Sequence, residues 1–149
     1  MKKILTIAVI AMIGLLTFAG CSKSSSGSSN TMKATIGSTA FSSNNCIFSI
    51  NAGLLGIYGY TASGATVSYP NISIGINNYT SGSTGTYTIS DTSTNIVAGV
   101  DSSATSAIVA QTGSIVITSS SSSSISGTFN FTCTDGTKVT GGTFTAKLN

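Results

Sequence analysis

From Met32 onward, apolar and polar positions alternate with a period of two. Ile72, Ile74 and Ile76 are separated by Ser73 and Gly75, and Tyr87 and Ile89 interleave with Thr86, Thr88 and Ser90. Ile115 and Ile117 flank Val116. Phe129, Phe131 and Cys133 alternate with Thr128, Asn130 and Thr132, and Phe144, Ala146 and Leu148 with Thr143, Thr145 and Lys147. Successive strand side chains point to opposite faces, so this pattern predicts strands with one face on a core and the other in water. No helical i, i+3, i+4 stripe is sustained, and Thr suits the solvated face of a strand. Turn residues punctuate the runs. Asp135-Gly136 predicts a hairpin between the run ending at Cys133 and the run from Lys138 to Leu148. Gly37-Ser38, Ser63-Gly64 and Ser81-Gly82 mark further turns, and Ser119 to Ser124 reads as a loose hairpin loop. Pro70 lacks an N–H for a strand ladder, so it is expected at a strand edge or a bulge. Roughly nine or ten short strands predict an all-β domain, either an antiparallel β-sandwich or a small β-barrel, with a lipocalin-like up-and-down barrel as a variant.

The start of the chain departs from this pattern. Lys2 and Lys3 precede a continuous apolar run, Ile4 to Leu16, and then Thr17-Phe18-Ala19-Gly20-Cys21. The run is short for a membrane span, which needs roughly 20 apolar residues. A basic start, an apolar centre and small residues before a cut site are the features of a secretory signal. The Ala19-Gly20-Cys21 ending resembles the lipobox of bacterial lipoproteins, although Phe18 stands where Leu is usual. That resemblance implies cleavage after residue 20 and a diacylglyceryl thioether on Cys21. Acyl chains contribute roughly 0.8 kcal/mol per buried methylene, and two chains give stable anchoring. Ser22 follows the Cys, which favours the outer membrane, with the leaflet left open. The expected organisation is a signal peptide over 1–20, a lipidated Cys and Ser/Gly tether over 21–31, and one β domain over 32–149. The tether holds the domain some 15–20 Å from the bilayer.

Composition narrows the chemistry. The 149 residues include six Lys, no Arg, three Asp, no Glu and no His. Without the signal, four Lys face three Asp, a net charge of +1. Such a chain has no basic patch to attract nucleic acid. Its wet surface is built from Ser, Thr, Asn and Gly. Without His the commonest general base is missing. Asp91, Asp101 and Asp135 are the only carboxylate side chains. Asp135 belongs to its turn with Gly136, and Asp91 and Asp101 sit in loop-like surroundings. There is no calcium-loop spacing, no Cys/His zinc spacing and no Gly-x-Ser-x-Gly elbow. No catalytic residue, metal or cofactor is expected, and the chain does not read as an enzyme.

Two further groups of residues stand out. Cys46 and Cys133 form an even pair, and export to an oxidising compartment makes a disulfide the expected state. Two separate buried thiols are the alternative. Tyr58 and Tyr60 share one strand face, with Tyr69 close behind in sequence. Tyr offers a flat apolar body and a polar tip, so an exposed set of such rings suits stacking on sugars. The plainer reading is that these rings cover the sheet. The Thr-x-Thr pairs Thr86/Thr88, Thr132/Thr134 and Thr143/Thr145 lack a constant spacing, and solvated strand faces explain them better than ice binding.

The segments Met32-Lys33-Ala34-Thr35-Ile36-Gly37, Gly85-Thr86-Tyr87-Thr88-Ile89, Gly113-Ser114-Ile115-Val116-Ile117-Thr118, Ile125 to Phe131 and Val139 to Phe144 occur in an order that resembles a family of small Bacteroidota lipoproteins, a domain family of unknown function. The resemblance implies an all-β lipoprotein of the outer membrane and transfers no ligand or catalytic residue. The expected function is that of a lipid-anchored, non-catalytic binding or accessory module of the cell envelope. Its partner would be a glycan, a small apolar ligand or another envelope protein. The alternative is a structural or surface-coat lipoprotein without a specific ligand.

Overall fold

The computed structural model describes residues 30–149, apart from residues 64 and 65. The expected signal peptide, Cys21 and all but the last residues of the tether lie outside the described residues. Ten strands follow one another: β1 (Thr31–Ile36), β2 (Thr39–Ser43), β3 (Asn45–Asn51), β4 (Leu54–Ser63), β5 (Thr66–Ile76), β6 (Gly85–Ile89), β7 (Ile96–Ser103), β8 (Ser106–Ser120), β9 (Ser124–Cys133) and β10 (Lys138–Leu148).

Seven of them close into a barrel, in the order β10-β3-β4-β5-β7-β8-β9 and back to β10. Every pairing is antiparallel except a short parallel contact, Lys147↔Ile47 and Leu148↔Phe48, which closes the ring between β10 and β3. Both β10 and β8 are long enough to share one edge between two partners. Along one edge β10 pairs with β1 and then with β3. Similarly, β8 pairs with β7 and then with β6. The strands β1, β2 and β6 therefore extend beyond the ring. They turn one wall into a six-stranded sheet, β2-β1-β10-β9-β8-β6, in which all neighbours are antiparallel.

The period-2 pattern does its work here. Leu55, Ile57, Ile72, Ile74, Ile76, Ile115, Ile117, Phe129, Phe131 and Phe144 point inward and are buried in one continuous cluster. Reciprocal aromatic–glycine pairs tighten the wall between β9 and β10. Phe129 is opposite Gly142, and Phe144 is opposite Gly127. A Cβ on Gly142 would run into the Phe129 ring, and one on Gly127 would run into Phe144 and the Val116 carbonyl. The two Phe rings lie 6.3 Å apart. One end of the barrel is stopped by Tyr79, whose hydroxyl is hydrogen-bonded to Ser83 O (2.7 Å) and Ser120 Oγ (2.8 Å).

The Asp135-Gly136 turn forms as its residues require. Gly136 has φ +86°, and Thr137 N–H donates to Asp135 Oδ1 at 2.9 Å. Pro70 sits where β4 and β5 slip register, between Gly59 and Thr61 on the facing strand. Two expectations change. Half of the serine run is strand: β8 continues to Ser120 and β9 begins at Ser124, leaving a tight turn in which Ser121 Oγ accepts from Ser124 N–H at 3.0 Å.

The expected disulfide is absent. Cys46 and Cys133 are free, buried thiols. Cys46 lies beside the end of β10, since its neighbour Ile47 pairs with Lys147. Cys133 lies at the start of β10, where its N–H donates to Thr137 O at 2.8 Å. Most of the eleven-residue β10 runs between them. At about 3.3 Å per residue that is roughly 25–30 Å, far beyond the 4.4–6.8 Å between Cα atoms that a bridge allows. Burial pushes the Cys46 thiol up to about 12. Burial also raises Cys133, with help from the nearby Asp135 carboxylate, to about 11. Both remain inert thiols.

Candidate functional site

On the outer wall formed by β4, β5 and β7, strand alternation places a polar and aromatic set in three adjacent rows. Tyr58 of β4 is opposite Ser73 of β5, which is opposite Gly99 of β7. One row along, Asn71 is opposite Asp101. In the other direction Gly56 is opposite Gly75, which is opposite Val97. Gly56, Gly75 and Gly99, one on each of the three strands, add no side chain to this face.

The three tyrosines singled out in the sequence come together here. The Tyr58 and Tyr60 rings are 5.4 Å apart and inclined by 23°, a stacked pair on one face of β4. Tyr69 is 39% exposed, and its phenol is near enough to Tyr58 to influence that residue's ionisation. Tyr58 and Tyr60 are half-buried. With the Asn71 amide oriented so that both its oxygen and its nitrogen find partners, the Tyr58 hydroxyl donates to Asn71 Oδ1 at 2.9 Å, and Asn71 Nδ2 donates to Ser68 O at 2.8 Å and Pro70 O at 3.2 Å. Asn71 is fully buried, so this bond fixes the Tyr58 ring across β5. The remaining tyrosines lie elsewhere: Tyr79 and Tyr87 face each other at 6.2 Å near the barrel end.

Electrostatics mark the same spot. Burial raises the Asp101 carboxyl from 3.8 to about 6, against the opposing effect of the nearby Ser73 hydroxyl. Ser73 Oγ is itself buried and makes no hydrogen bond of ordinary geometry. Burial pushes Tyr58 up, and Asp101 and Tyr69 push it further. The sequence reading missed Asn71 and Ser73 and took Asp101 for a loop residue. The signal was present in the run Ile96-Val97-Ala98-Gly99-Val100. Ile96, Ala98 and Val100 pair with the inward Ile76, Ile74 and Ile72, so alternation turns Asp101 outward.

The other carboxylates are elsewhere. Asp91, between β6 and β7, accepts from Gln111 Nε2 at 3.1 Å. Asp135 is held below the usual carboxylate range by the Thr137 N–H and hydroxyl. Among the described residues no three Asp or Cys side chains are grouped as a metal site. A shallow open groove of about 230 Å³ crosses β8, β9 and β10, lined by Thr112, Asn130, Thr132 and Lys138 among others. It lies on the opposite wall from the tyrosines and contains one charged group.

Compared with known proteins, the chain matches no family model, no curated protein and no solved structure. The wall itself offers a half-exposed stack of rings, a third ring at its margin, and one half-buried carboxylate. Rings of this kind receive flat apolar surfaces, and a carboxylate accepts hydrogen bonds from hydroxyls.

Proposed function

We propose that this chain is a lipid-anchored, non-catalytic β-domain of the bacterial cell envelope that binds a neutral glycan on the β4-β5-β7 wall. The observation that carries the reading is the gathering of Tyr58, Tyr60 and Tyr69 beside Asp101. Sugars present C–H faces to aromatic rings and hydroxyls to acceptors, and this wall offers both. The interior of the barrel is occupied by Phe48, Phe129, Met32, Leu55 and Ile57. That supports contact at the surface rather than enclosure of an apolar ligand. The lipid anchor rests on the Ala19-Gly20-Cys21 sequence. The family resemblance supports an outer-membrane site.

The test is a glycan array probed with the full chain, followed by titration of the best glycan. Tyr60→Ala and Tyr69→Ala are expected to weaken binding roughly tenfold each, about 1.4 kcal/mol, at an unchanged unfolding midpoint. Equal binding by both variants, or no glycan bound, overturns the reading. Incorporation of a labelled fatty acid tests the anchor separately: it is expected in the parent chain and lost in Cys21→Ala.

A further inference from the structure

The six-stranded wall has two open edges, and they match. Among the described residues, β2 at one end pairs only with β1, and β6 at the other pairs only with β8. Among the described residues, no loop or turn main-chain hydrogen bond reaches 39–43 or 85–89. Both strands have five residues. An edge strand is normally protected by a lysine, a proline, a bulge or an inward charge, because its free N–H and C=O groups otherwise pair with another chain. Neither edge carries a lysine, a proline, a bulge or an inward charge; β2 is covered only at its buried Ser43 end, whose Oγ donates to Tyr60 O of β4. The sequences are Thr39-Ala40-Phe41-Ser42-Ser43 and Gly85-Thr86-Tyr87-Thr88-Ile89, and both ladders are unbulged.

We infer that β2 of one copy pairs with β6 of the next, joining the six-stranded walls of successive copies into one continuous sheet. Three observations favour a second copy over an extended segment of another protein. The two edges belong to opposite ends of the same sheet. They run in opposite directions, since all five intervening pairings are antiparallel. A copy placed alongside in the same orientation therefore continues the antiparallel alternation without rotation of either partner's strands. One outward row also spans the whole wall: Ser42↔Lys33↔Thr143↔Thr128↔Val116↔Thr86. Joining the edges brings Ser42 of one copy to Thr86 or Thr88 of the next, and it keeps the hydroxyl-rich face, with Lys33 in its middle, on one side. Such a head-to-tail contact uses two different patches, so it propagates as an open assembly unless its rotation closes a ring. The right-handed strand twist makes that assembly a turning ribbon. The inference stands apart from glycan binding, because the tyrosine wall belongs to β4, β5 and β7.

The test uses the full chain in cells and a short bis-maleimide crosslinker, with the parent chain and its native cysteines as the baseline. Ser42 and Thr86 are both exposed, so cysteine at either is compatible with the fold. A chain carrying Ser42→Cys and Thr86→Cys is expected to give a ladder of crosslinked species. Each single variant alone is expected to match the baseline, and the two single variants produced together to give a dimer and nothing larger. Adding Thr88→Lys to the doubly substituted chain is expected to remove the ladder at an unchanged unfolding midpoint. No crosslinking above the baseline overturns the inference. So do dimers from one single variant alone, which would mean that an edge pairs with itself. An equal ladder from Thr94→Cys with Ser122→Cys would reduce the contact to random collision and overturns it too.

Discussion

Asp101 is a carboxyl on a strand face that its neighbours have made partly dry. Asn71 opposite is buried, Ser73 diagonally across is buried, and the Tyr58 ring lies over both. Burial therefore favours the neutral acid, and the folded chain holds this proton up to about pH 6. The unfolded chain releases it near 3.8. Between those values the folded state binds more protons, so this residue makes stability fall as pH rises through the window. Above about pH 6 the full penalty is present. Two pKa units correspond to about 3 kcal/mol, and solvent screening at a half-exposed carboxyl reduces this to about 1–2 kcal/mol. Asp101→Asn is expected to stabilise the domain by that amount at neutral pH and to change little below pH 4. Urea unfolding across a pH series measures it, and an unchanged slope would show that the carboxyl is well solvated.

At the scale of elements, the glycines divide into two kinds with different consequences. Gly136 stands in a left-handed turn with open space around it. Alanine there meets only the backbone preference, about 1–2 kcal/mol. Gly127 lies mid-strand under the Phe144 ring and against Val116 O. Alanine there must move a backbone as well as a ring, and a loss of at least 1–3 kcal/mol is expected. Chemical unfolding of Gly127→Ala beside Gly136→Ala checks the order, and equal losses would mean that β8 and β9 separate easily. The elements themselves were largely legible. Ile72, Ile74 and Ile76 announced β5 by alternation, and Asp135-Gly136 announced the β9–β10 hairpin by turn chemistry. What alternation could not show was which strands become neighbours. The leap of β6 past β7 to the edge of β8, and the parallel contact of β3 with β10, arise from packing between distant segments. For that reason the separation of Cys46 and Cys133 was not readable, although alternation did place Cys133 on the apolar face of the run from Phe129. The three tyrosines were readable as a group because two share a strand and the third follows in the next. Their polar companions were not, because Asn71 and Ser73 owe their burial to a ring from another strand.

For the whole molecule, the seven-stranded ring gives two unlike walls. One bears the tyrosines and Asp101, and the other is a broad sheet of Thr and Ser with Lys33 in its central row. The choice between sandwich and barrel resolves to a barrel because β10 and β8 each reach two partners along one edge. A chain anchored by its N-terminus would thus hold one wall for a ligand and leave the other for its neighbours. The most consequential strand is β10. It touches the first strand, the third and the ninth. None of the ring can close before this last segment is available, so contacts are long-range and folding belongs to the slow, millisecond-to-second class. Removing residues 138–149 is expected to abolish cooperative unfolding altogether, which circular dichroism during heating would show. Until residues 138–149 are present, therefore, the ring has a gap between β9 and β3, and a chain cut short of them leaves no smaller folded product behind.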